Sequence, residues 1–97
     1  MTIHHYLIEI AVSDKKYFFE LREHLLKTGC SEKFSGELTV FYANLLNCRD
    51  AVVLISLSKN IYIDILSSSE TIDQYLDIIT NIIPKNKIML HYVIRKV

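Results

Sequence analysis

Three observations predict an α+β fold for this 97-residue chain. Four segments alternate apolar and polar residues with period two, as half-buried strands do. Two others carry an apolar stripe with the 3.6-residue period of a helix. The order is strand, helix, strand, an element of uncertain type, strand, helix, strand. Each helix has one apolar stripe and each strand one clearly apolar face, so both helices are expected on one face of a four- or five-stranded sheet. That is a two-layer sandwich of the ferredoxin-like, RNA-recognition type, a single domain over residues 1–97.

The first strand runs from Ile3 to Val12, with Ile8, Ile10 and Val12 opposite Leu7 and Glu9. Ser13-Asp14 offers an N-cap for a helix over Asp14 to Thr28, which buries Phe18, Leu21, Leu25 and Leu26. Glu23 precedes Lys27 by four residues, the spacing of a helix-surface ion pair, and Gly29 is the natural terminator. Cys30 to Gly36 reads as polar connection and Glu37 to Ala43 as the next strand, with Val40 on its apolar side. Ile61 to Leu66 is another strand. A capping box from Ser67 to Glu70 opens a second helix that buries Ile72, Leu76, Ile79 and Ile83 before Pro84 stops it. Ile88 to Arg95 closes the sheet. Residues 47–59 are ambiguous. Val52-Val53-Leu54-Ile55 favours a strand after a turn at Asn47 to Asp50, whereas Asn47 could equally cap a buried helix.

Composition narrows the function classes. Two Gly and one Pro among 51% hydrophobic residues exclude a linker or a disordered tail. Eleven basic residues balance eleven acidic ones, whereas a stand-alone nucleic-acid binder usually carries a basic excess. Cys30 and Cys48 lack the spacing of a zinc site or a disulfide framework and are expected as thiols of a reducing cytoplasm. The first residues do not resemble a signal peptide, and no apolar window approaches the ~18 residues of a membrane span.

Catalytic patterns are sparse. Gly29 and Gly36 stand alone, so no phosphate-binding loop is written. His4 and His5 point to opposite faces of a strand and cannot share one metal ion locally. His91 could approach His5 if their strands neighbour each other, but no nucleophile or orienting carboxylate is evident for acid–base work. The expectation is therefore no catalytic residue, no metal and no cofactor.

Interaction is the stronger signal. If the helices cover Ile8, Ile10, Val40, Ile63, Leu90 and Tyr92, the reverse face shows His5, Leu7, Phe41, Tyr62, Met89, His91 and Val93. So apolar a face calls for cover by loops, for a protein partner or second copy, or for bases stacked on Phe41 and Tyr62. Lys85, Lys87, Arg95 and Lys96 crowd the last segment, and Lys15 and Lys16 open the first helix, a set suited to phosphate contacts.

Residues 49–55 (Arg49-Asp50-Ala51-Val52-Val53-Leu54-Ile55), then Ile61 to Leu66, then Ser69-Glu70-Thr71-Ile72 resemble the small protein subunit family of ribonuclease P and its MRP relative. The front of the chain is similar more loosely, through Tyr6 to Ile10 and Leu21 to Leu25. The resemblance implies an accessory subunit in tRNA 5′ maturation that pairs with a larger TIM-barrel-like subunit and binds the catalytic RNA. It implies a helix over residues 48–58 and carries over Arg49, Ser69 and Thr71 as matching positions, with Arg49 as an RNA contact. The family's glycine is Glu70 here, which removes backbone freedom from that turn.

Overall fold

A computed structural model describes residues 2–38, 41–70 and 72–96, with the backbone alone at Leu38. In chain order the elements are β1 (Thr2–Ile10), α1 (Lys15–Lys27), β2 (Ser31–Leu38), β3 (Phe41–Asn47), β4 (Ala51–Leu57), β5 (Ile61–Ser67), α2 (Ile72–Thr80), a single 3₁₀ turn (Lys85–Lys87) and β6 (Ile88–Lys96). All six strands join one antiparallel sheet in the order β2-β3-β4-β5-β1-β6.

This corrects the expected ferredoxin-like sandwich with a four- or five-stranded sheet and helices laid over one face. Four consecutive strands run as a meander between the helices, because three short connections each close a hairpin. Residues 37–43, read as one strand, instead straddle such a hairpin, with Glu37 opposite Tyr42 and Leu38 opposite Phe41. Val40 lies outside the described residues. The polar stretch 31–36 is the body of β2, an edge strand where polar side chains meet water. Six strands span about 24 Å between their outer axes, and α2, with nine residues, is only about 14 Å long. Strand outweighs helix nearly two to one, so the fold is dominated by its sheet.

Asn47-Cys48-Arg49-Asp50 resolves the ambiguous stretch as the turn between β3 and β4, with Cys48 N–H donating to the Ala51 carbonyl at 2.8 Å. Val52 to Ile55 is strand, as propensity favours, and the helix implied by the family resemblance over 48–58 is absent.

Alternation decides the core. Tyr6, Ile8 and Ile10 of β1 stand opposite Ile65, Ile63 and Ile61 of β5, and Val53 and Ile55 of β4 pair onward with Leu46 and Asn44 of β3. These residues are buried together with Phe18, Leu21 and Leu25 of α1 and Tyr75 and Ile79 of α2. Asp14 caps α1 by accepting from Lys16 N–H at 3.0 Å. Gly29 ends it with φ +101°, a conformation that an L side chain resists. Glu23 pairs with Arg22 at 3.0 Å rather than with Lys27.

The second helix buries a different stripe in part: Ile79 and, past the helix end, Ile83 are buried as expected, but Tyr75 joins them while Ile72 and Leu76 are only half-buried. Ser67 belongs to the sheet. It is the buried end of β5, donating to the Asp50 carbonyl at 2.7 Å and accepting from Ser69 N–H at 3.1 Å.

The thiol expectation is overturned as well. Cys30 and Cys48 form a disulfide that ties the end of α1 to the β3–β4 turn. Eighteen residues separate them, a distance that says nothing of pairing until the β2–β3 hairpin folds the chain back.

Candidate interaction surfaces

Strand register places His5, Leu7, Tyr62, Met89, His91 and Val93 on the sheet face away from the core, with His5 opposite Val93 and Leu7 opposite His91. Phe41 shares that face but lies beyond β4, at the far end of β3. Sequence reasoning missed Val52, Leu54 and Leu66, which fill the space between and are 42%, 36% and 43% exposed. For Val52 and Leu54 the signal was the even positions of residues 51–57, legible only once that segment is a strand, whereas Leu66 stood on the outer side of a strand already evident.

At the centre of this face His5 Nε2 sits 2.9 Å from Asp64 Oδ1. Asp64 is the orienting carboxylate that the sequence did not reveal, brought in because β1 and β5 are neighbours and Leu7 stands opposite it. His91 lies diagonally across from His5. Among the described residues no group of three or more His, Cys, Asp or Glu is placed to hold a metal ion. A His–Asp pair on an open surface orients an imidazole without supplying a nucleophile.

The second surface is β6 itself. Met89, Leu90, Tyr92, Val93 and Ile94 are 42–56% exposed, counting both sides of the strand. Leu90 and Tyr92 were expected beneath helices, but β6 is the outermost strand and α2 stops short of roofing it. Tyr92 leans inward instead. Its ring stacks on Tyr6 with centroids 4.6 Å apart, and its hydroxyl shares a 2.7 Å hydrogen bond with His4 Nδ1. Burial, reinforced by the neighbouring Tyr92, pushes the Tyr6 hydroxyl above the ordinary value of 10.0. Between α2 and β6 runs an apolar groove of about 350 Å³, floored by Ile88 and Leu90 and flanked by Leu76, Asp73 and Asp77.

The cations divide between the two ends of the sheet. Lys85 and Lys87 sit beside the end of β1, where Ala11 N–H donates to the Lys87 carbonyl, and Lys15 and Lys16 begin α1 close by. Arg95 and Lys96 pair with Ile3 and Thr2 at the opposite end of β1. Arg49 belongs to that far end, beside the disulfide, in a polar cavity of about 380 Å³ shared with Asp50, Gln74 and Tyr75. Ser69 is exposed next to Ser67, and Thr71 lies outside the described residues.

No protein-family model matches the chain, and no curated protein matches it either. Among the described residues no helix is long and apolar enough to cross a membrane.

Proposed function

We propose that this chain is a protein-interaction module that works without catalysis of its own, engaging its partner through the exposed side of the sheet. One observation carries the reading. Val52, Leu54, Leu66, Met89 and Val93 are all exposed on the same face, a spread of apolar surface too large to be scattered chance. Polar features on that face, chiefly the His5–Asp64 pair, would fix the orientation of the partner. The disulfide favours an oxidising compartment over the cytoplasm that free thiols implied.

A photo-crosslinker at Leu66 of the full chain tests this reading. A defined crosslinked species that Leu54→Asp removes is the supporting result. A face that crosslinks to nothing at any concentration overturns it.

An accessory role on structured RNA, as the ribonuclease P resemblance implies, draws on one observation, the gathering of Lys15, Lys16, Lys85 and Lys87 at one end of the sheet. Under that reading Lys85→Gln with Lys87→Gln flattens the salt dependence of RNA binding by about one unit of slope per lost phosphate contact. Arg95 and Lys96, at the other end, would then contribute separately. Absence of measurable RNA affinity discards it.

A further inference from the structure

The two edges of the sheet are treated differently. β2 carries Glu32, Lys33 and Glu37, and its register shifts between Glu32 and Phe34. Charges and a bulge are how soluble proteins discourage strand addition. β6 has neither device over most of its length. It runs nine residues from Ile88 to Lys96 in unbroken register with β1, with no proline and no charge before Arg95. A long, apolar edge in unbroken register is a template for another strand.

The geometry points to a second copy of this chain as that strand, with the two β6 edges pairing antiparallel about a two-fold axis at Tyr92. This goes beyond the interaction reading above, since it uses the edge of the sheet and not its exposed face. Tyr92 is the midpoint of β6, so only there do all nine residues of each strand find an opposite number. The register is then fixed: Leu90 faces the partner's Ile94, Met89 faces the partner's Arg95, and His91 faces the partner's Val93.

Three features make the strand complementary to itself. No like charges meet, because Arg95 and Lys96 fall opposite Met89 and Ile88. On the helix side, the partner's Ile94 and Lys96 would lie beside Leu90 and Ile88, the floor of the α2–β6 groove. There the lysine comes under Asp73 and Asp77, two carboxylates set against a single lysine, Lys85, among the residues that line the groove. Finally, Tyr92 already stacks on Tyr6 at 4.6 Å, and the axis sets the two Tyr92 rings side by side, extending the stack to four tyrosines across the interface. A foreign strand would have to reproduce all three features.

Light scattering on the full chain, combined with a charge-swap pair, tests the proposal. The wild type should run at about twice its 11.3 kDa mass at micromolar concentration. Leu90→Asp and Ile94→Lys, each at a side chain more than 40% exposed, should leave the circular dichroism spectrum unchanged and weaken the dimer by at least about tenfold. Combined in one chain they should restore it, because each new carboxylate then faces a new ammonium across the axis. A monomeric wild type overturns the proposal, as does a dimer indifferent to both single changes, or a double variant no better than either single one. A dimer broken by Leu54→Asp but not by Leu90→Asp would keep the interaction reading and reject the edge pairing. A monomer that still crosslinks from Leu66 to a different protein would do the same.

Discussion

The side-chain amide of Asn44, buried on the core face of β3, donates to Glu32 Oε2 at 2.7 Å. That oxygen also accepts from Arg22 Nε and Nη2 at 3.0 and 2.6 Å, so one carboxylate on β2 joins α1 to β3. Glu32→Ala leaves a buried amide without its acceptor and is expected to cost about 1–3 kcal/mol in urea denaturation. Glu23→Ala, which removes only an exposed partner of Arg22, should stay within about 0.5 kcal/mol of wild type. Equal effects would mean that Asn44 finds another acceptor.

The Cys30–Cys48 disulfide, at a sequence separation of 18, closes a loop containing the whole of β2 and β3. Cross-linking a loop of that length restricts the unfolded chain by about 3 kcal/mol. The Cys30→Ser, Cys48→Ser double variant should therefore lose roughly that much stability, and reductant should lower the denaturation midpoint of the wild type alone. A wild type with two titratable thiols after purification without reductant would show that the bridge does not form.

Much of the fold was legible because local patterns agreed with tertiary demand. Alternation marked β1, β5 and β6, and Asp14 and Gly29 bounded α1 where capping chemistry predicts. The misreadings share one physical cause, that neighbours distant in sequence decide what a residue does. Leu90 and Tyr92 alternate like core residues, but their strand falls at an edge that no helix covers. Asp64 looked like the polar side of a strand until register set it beside His5. The disulfide depended on a hairpin whose polar first strand gave no periodic signal.

Tyr75 predicts an alkaline weakness. Burial, and then the carboxylate of Asp50, push its hydroxyl above the ordinary 10.0. The unfolded chain therefore releases this proton more readily than the folded one, and the stability it confers, complete below pH 10, is lost as pH rises through the folded value. Urea midpoints at pH 9 and pH 11 should fall less in Tyr75→Phe than in wild type. Other groups titrate in the same window, so the difference between the two proteins is the quantity to read. A drop of the same size in both would assign the weakness elsewhere.

Leu54 separates folding from docking. Its neighbours Val53 and Ile55 are fully buried, while Leu54 itself is 36% exposed in the middle of the reverse face. Ile55→Ala should cost about 2–5 kcal/mol through lost burial and the cavity left behind. Leu54→Asp removes less buried surface than a change at Ile55 and sets a second carboxylate beside Asp64, with which Leu54 pairs across β4 and β5. Like charges directly opposite destabilise a sheet by up to about 1 kcal/mol, so a small loss of stability is expected. The same change should abolish association through that face, because an interface cannot cover two facing carboxylates without an added cation. Leu54→Ala supplies the control, since it trims the apolar contact without new charge and should weaken association in proportion. If Leu54→Asp unfolds the chain outright, the face is already covered from within. If it changes neither stability nor association, the exposed leucine has no partner.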